Sequence, residues 1–199
     1  MATLQREAEI RRTTKETDIL VRLNLDGTGE TDIDTGVGFF DHMLDAFGRH
    51  GLFDLTVHAT GDLQVDAHHT VEDAGIVLGQ AFAQALGDKR GIRRYGSLAL
   101  PMDETLVLAA VDFSGRGALF WDVDVPAGML GAFDTSLGKE FFIAFAANAQ
   151  ATLHIRELAG ENSHHILEAA FKACARAVRQ ATEIDPRAAH DLPTTKGLL

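Results

Sequence analysis

The chain has 199 residues, 46% hydrophobic and 24% charged, the balance of a globular protein with chain enough for one domain or two small halves packed as one. Its 18 Lys and Arg against 29 Asp and Glu leave a formal charge of −11, which argues against nonspecific nucleic-acid binding through a basic patch, and no apolar run is long enough for a membrane span. The single cysteine, Cys174, can form no internal disulfide, and the charged start MATLQREAEIRRTTKE lacks the apolar centre of a secretory signal, so a reducing cytoplasm is the expected location.

In DILVRLNLDGTGETDID, Ile19, Val21, Leu23 and Leu25 alternate with polar residues as in a half-buried strand, and Asp26-Gly27 signals a hairpin. FFDHMLDAF then carries Phe40, Met43, Leu44 and Phe47 at helical spacing, ending near Gly48 and Gly51. LFDLTVHA alternates again through Phe53, Leu55 and Val57, and DAHHTVED opens a helix with Val71, Ala74, Val77, Leu78, Ala81, Phe82 and Ala85 inward. The second half follows the same order. TLVLAAVDFSGRGALFWDVDV is strand-like and broken at Ser114–Gly117; EFFIAFAANA is helical; ATLHIREL is a strand; ENSHHILEAA opens the last helix, with Ile166, Leu167, Ala170, Phe171, Cys174, Val178 and Ala181 inward.

The double histidine therefore occurs twice. His164, His165 and Glu168 lie 96 residues after His68, His69 and Glu72, and Gln84-Ala85 recurs in the same register as Gln180-Ala181. The expected fold is α+β: two duplicated half-units, about 1–93 and 94–199, each a small mostly antiparallel sheet with two helices, the helices packed together between the sheets as a single compact domain spanning 1–199.

Successive residues on a helix point about 100° apart, whereas positions three or four apart share a face. Glu72 can join His68 or His69, but the two histidines diverge and are better placed to serve two ions than one. Imidazole with carboxylate suits Mn²⁺, Fe²⁺ or Zn²⁺. One HHxxE alone would need nothing beyond the favourable placement of Glu near a helix N-terminus; two in register point to metal. Glu161-Asn162-Ser163-His164 also fits the Glu-x-x-His string of ferritin-like sites, but Val65 stands at the matching place in the first half.

With RTTKETDI, LDGTG, FFDHML, DAHHTVED, GDKRGIRRYG, PMDETL, FSGR, NSHHILEAAFKA and PTTKGLL in this order, the sequence resembles the imidazoleglycerol-phosphate dehydratase family along essentially its whole length. The resemblance implies two Mn²⁺ ions per site and an assembly of 24 copies with sites at subunit contacts. It implies one ion on His68, Glu72, Glu140 and His164, and another on His42, His69, His165 and Glu168. Glu140 departs from the histidine many members carry there, but carboxylate is a competent Mn²⁺ ligand. The reaction implied is loss of water from D-erythro-imidazole-glycerol phosphate in histidine biosynthesis, through a metal-bridged imidazolate and a diazafulvene, to imidazole acetol phosphate. Glu168 and Glu16 are expected to share the general acid and base roles. The resemblance points to Arg94, Arg116, Lys172, Thr194, Thr195 and Lys196 for phosphate and substrate contacts, with Glu16 and His50 expected to line the site. Plainer accounts exist for some of these: Lys172 as an i,i+4 partner of Glu168, Arg116 as a turn residue, TTKGLL as a frayed end. A binuclear hydrolase of a phosphorylated small molecule and a metal-stabilised assembly protein are the competing functions.

Overall fold

The computed structural model describes residues 6–199. Three strands open the first half, β1 (Glu7–Thr13), β2 (Thr17–Asn24) and β3 (Thr31–Asp34), followed by helix α1 (Gly38–Gly51), strand β4 (Asp54–Gly61) and helix α2 (His68–Leu86). The second half repeats the plan with β5 (Tyr95–Met102), β6 (Thr105–Asp112), β7 (Ala118–Asp122), α3 (Leu137–Asn148), β10 (Thr152–Ala159) and α4 (Ser163–Thr182), and inserts a short hairpin, β8 (Met129–Leu130) with β9 (Phe133–Asp134), before α3.

The sheets share one topology. Their orders are β1-β2-β4-β3 and β5-β6-β10-β7, with two antiparallel pairings and then a parallel one in each. The duplicated α+β fold expected from the sequence is thus present. The hairpin expected at Asp26-Gly27 is not: β3 lies parallel to β4 and does not touch β2. The reason is Asp54, whose Oδ1 accepts the backbone N–H groups of Thr28, Gly29 and Glu30 at 2.7, 3.1 and 3.1 Å, winding the loop past the end of β4 to its far side. The hairpin forms one strand earlier, between β1 and β2, where the Thr14 hydroxyl accepts from the Glu16 and Thr17 amides.

Helix α2 packs on β1 and β2, and α4 on β5 and β6, so each long helix covers its own sheet. The helices then meet across the halves, α2 against α3 and α1 against α4. Between them Phe47, Phe53, Phe82 and Phe145 form a cluster with ring centroids 5.1–6.1 Å apart, edge-to-face except for the tilted Phe47–Phe53 pair, each ring fully buried. Burial of one such ring stabilises by roughly 1.5–3 kcal/mol, and edge-to-face pairing adds roughly 0.5–1.5. Gly75 and Gly79 let α2 come close to α3: a Cβ there would lie 2.6 and 2.7 Å from the carbonyl oxygens of Phe141 and Phe145. One continuous cluster of buried side chains includes both halves.

Candidate functional site

The double-histidine turns are built twice by the same devices. Two residues before the first histidine of each, a side-chain oxygen accepts that histidine's amide: Asp66 from His68 at 2.8 Å, Asn162 from His164 at 2.9 Å. The paired rings diverge as successive helical positions must, with centroids 6.1 Å apart at 88° for His68 and His69, and 6.1 Å at 85° for His164 and His165. The outer histidine of each pair meets a carboxylate. His69 Nδ1 lies 3.0 Å from Asp62, and His165 Nδ1 lies 2.8 Å from Glu104. Hydrogen bonding raises the affinity of both rings for a proton, while the His165 ring and then backbone N–H groups pull the Glu104 carboxyl down to about 2. A ring whose Nδ1–H is engaged this way presents Nε2 to a ligand.

Asp62 and Glu104 were not singled out from the sequence. Glu104 had a signal: Glu104-Thr105 closes the second β-hairpin where Glu16-Thr17 closes the first.

His42, on the first turn of α1, meets the start of α4. His164 Nε2 stands 2.9 Å and His42 Nε2 3.3 Å from the same oxygen of Glu168, and the three donors lie within 4.8 Å of one another. The other Glu168 oxygen pairs with Lys172 Nζ at 2.5 Å. Glu168 is only 6% exposed. Burial pushes its carboxyl up, but Lys172, His42 and His164 outweigh that and hold it below the usual carboxylate range. Two imidazoles and an anionic carboxylate converging from two helices fit a divalent transition ion and leave room for further ligands. Within one chain His164 therefore stands with His42 and Glu168, whereas the resemblance places it with His68, Glu72 and Glu140. His68 and Glu72 face each other at 3.8 Å. Glu140 lies in the first turn of α3, on the helix that packs against α2.

The cations form a separate site. Arg94, Arg116, Thr194, Thr195 and Lys196 line one cavity of about 580 Å³. Arg94 is held there by Asp112, at 2.7 and 3.2 Å, and by the Pro193 carbonyl at 2.9 Å, so the chain end is folded onto the body here. Lys172 is absent from this cavity and stays with Glu168. His50, at the end of α1, has its proton affinity lowered by burial and then by Lys172 and Arg176, which places it beside α4.

Cavity and histidine turns lie at opposite ends of the same elements. Glu104 precedes β6 and Asp112 ends it; the Arg94 amide bonds the Ala181 carbonyl near the end of α4, whereas His164 begins that helix. At about 1.5 Å per residue, the helix alone separates them by roughly 25 Å.

Fold and site together define a duplicated α+β protein with histidine–carboxylate clusters at helix starts and a cationic cavity at the far end. The family model described as imidazoleglycerol-phosphate dehydratase matches residues 35–178. Proteins of that name from Jannaschia sp. (strain CCS1) and Acidiphilium cryptum (strain JF-5) are each 61% identical, over 194 and 196 residues, covering 98% of this chain and 100% of theirs. The crystal structure of the dehydratase from Staphylococcus aureus superimposes with a TM-score of 0.82 at 39% identity, covering 90% of this chain and 99% of that one. That from Pyrococcus furiosus, in complex with (S)-C348, gives 0.82 at 42% identity, covering 96% and 100%. The chain belongs to the imidazoleglycerol-phosphate dehydratase family, hydro-lyases of histidine biosynthesis.

Proposed function

We propose that this chain dehydrates D-erythro-imidazole-glycerol phosphate to imidazole acetol phosphate and water, with two Mn²⁺ ions per site, in the cytoplasm. The observation that carries the reading is the duplicated histidine–carboxylate turn, with His42, His164 and Glu168 already converged. Among the described residues no helix is long and apolar enough to cross a membrane. The continuous core supports treating residues 1–199 as one domain of two repeats.

His42, His68, His69, Glu72, Glu140, His164, His165 and Glu168 would hold the ions, which as Lewis acids lower the proton affinity of the imidazole they bind and make its ring a source of electrons for expelling hydroxide. The rest falls to side chains. The leaving hydroxyl needs a proton, and the adjacent carbon must lose one. Glu168, kept anionic by Lys172, and Glu16, on the turn next to His69, are the two carboxylates for these tasks. The Glu16 carbonyl accepts the amide of Asp62, whose carboxylate holds His69, so Glu16 is fixed beside the double-histidine turn.

Arg94, Arg116, Thr194, Thr195 and Lys196 suit a phosphate monoester. A ring on a three-carbon phosphate chain cannot span the roughly 25 Å that α4 imposes between them and His164. The phosphate site of one copy must therefore serve the histidine cluster of another, which supports an assembly with sites at subunit contacts; 24 copies is the arrangement proposed. Lys172 and His50, beside Glu168, would face the substrate chain between the two ends.

The test is turnover of the imidazole diol phosphate by chelator-stripped protein as Mn²⁺ is restored stepwise and bound metal counted. Ketone should form in proportion to metal, with no inorganic phosphate. Phosphate release would favour a binuclear hydrolase; full activity in verified metal-free protein would end the metal reading.

A further inference from the structure

The duplication holds one position where the halves solve the same problem differently. In the second half, Glu104 ties the hairpin turn directly to the helix start: its carboxylate binds the His165 ring and the Asn162 amide, the latter at 3.1 Å, and takes the Thr105 hydroxyl at 3.0 Å. Glu16 occupies the same place in the first half, yet among the described residues its carboxylate has no hydrogen-bond or ion-pair partner. Asp62, whose amide the Glu16 carbonyl accepts, takes the outer histidine there, and a second link ties the turn to the buried face of α2.

That second link is Asp73. It follows Glu72, and the next helical position points about 100° away, toward the β1–β2 hairpin. Asp73 is 7% exposed, accepts the Thr17 hydroxyl at 2.5 Å, and lies 2.5 Å from Arg12 Nη1. The Arg12 contact is close but misaligned, since that buried nitrogen makes no hydrogen bond of proper geometry, and it acts as a charge contact. The chain of links is short: Glu16 is bonded to Thr17, Thr17 to Asp73, and Asp73 to Glu72.

The second half shows that this packing needs no charge. Ala169 stands where Asp73 does and is fully buried; Leu100, paired with Val107, stands where Arg12 pairs with Ile19; only the threonine recurs, as Thr105. A buried charged group of this kind is often no more stable than an apolar replacement. We propose that Arg12, Thr17 and Asp73 are positioning residues: while Asp62 takes the outer histidine, they tie the hairpin turn to α2 as Glu104 does in the other half, and so leave the Glu16 carboxylate unengaged but fixed in register with His68, His69 and Glu72. The proposal rests on Glu16 and that turn belonging to the active site.

The test installs the second half's residues in the first. The double variant Arg12→Leu/Asp73→Ala should assemble and melt like the parent, while kcat falls roughly tenfold to a hundredfold, the cost of a small misplacement, and KM stays within about twofold, because the phosphate cavity is untouched. Glu16→Gln should cost far less in that background than in the parent, since a displaced carboxylate has little left to lose. Parental kcat in the double variant, or an equal cost of Glu16→Gln in both backgrounds, overturns the proposal. If Glu16→Gln is harmless in the parent, the role of Glu16 fails by itself. The positioning of α2 is then judged by Mn²⁺ titration calorimetry, where affinity should fall roughly tenfold or more and an unchanged Kd rejects it. Should the double variant not fold, Thr17→Val, which keeps the shape and removes the hydroxyl link, must show the same kcat loss; parental kcat there overturns the proposal as well.

Discussion

His42 and Glu140 occupy the same position on equivalent helices. Matching them aligns Met43 with Phe141, Leu44 with Phe142, Ala46 with Ala144 and Phe47 with Phe145, all buried. His42 faces the histidine turn of α4, and α3 packs on α2, which begins at His68 and carries Glu72 one turn on. By the same twofold relation, the proposed ligand set places Glu140 with His68 and Glu72. Glu140→Ala should drop the bound metal from two ions per chain to one, while Glu140→His, which restores the repeat, should keep both. Metal counted after dialysis decides this, and two tightly held ions in the alanine variant would remove Glu140 from the ligand set.

Glu168 touches two histidines and a lysine from a nearly buried position. Glu168→Gln keeps the volume and loses the charge. Its kcat should fall by roughly 10²–10⁴, the usual worth of a general acid or base, more if metal is lost too. Steady-state turnover alongside bound-metal counts checks it, and parental kcat excludes Glu168 from the chemistry.

Separation of the Arg94, Arg116 and Lys196 cavity, proposed to take the phosphate, from the histidine turns predicts complementation. Glu168→Gln and Arg116→Ala should each be nearly inactive alone. Unfolded together and reassembled in equal amounts, they should recover about a quarter of the parental activity, because random pairing across a contact gives that share of intact sites. No recovery in verified mixed assemblies would place both groups in one chain's site.

Asp54 holds the loop that carries β3 to the far side of β4. Burial raises its carboxyl, but three backbone N–H groups outweigh this and lower it. A folded value below the unfolded one means that its contribution is complete above the unfolded carboxyl, at about 3.9, and is lost as pH falls through the folded value. Asp54→Asn should therefore be less stable than the parent near neutrality, and the gap should shrink as pH drops below about 4. Urea midpoints across that range measure it; a gap independent of pH would mean that the charge does not hold the loop.

Gly79 opposes propensity to packing. Alanine gains about 1 kcal/mol in a helix interior, but its Cβ would lie 2.7 Å from the Phe145 carbonyl and 2.8 Å from the Ala149 amide, backbone atoms that cannot rotate aside. Gly79→Ala should lose roughly 1–3 kcal/mol net, read from chemical denaturation. A stabilised variant would contradict the close approach of α2 and α3.

Periodicity and repetition are local, and they made the four helices, the alternating strands, the duplication and the divergence of each histidine pair legible in the sequence. The β1 and β5 edge strands were missed because only one face of each meets the core: polar residues fill most of β1, and β5 lacks any polar–apolar alternation. The path of β3 was misread because Asp26-Gly27 carries an ordinary turn signal, while Asp54, far along the chain, redirects the loop. Tertiary structure alone decided that His164 meets His42, that Asp62 and Glu104 hold the outer histidines, and that the cavity of Arg94, Arg116 and Lys196 lies at the opposite end from the histidine turns. The first depends on how helices from different halves pack, the others on where a strand or turn ends beside a helix, and neither relation leaves a periodic trace in the residues it brings together.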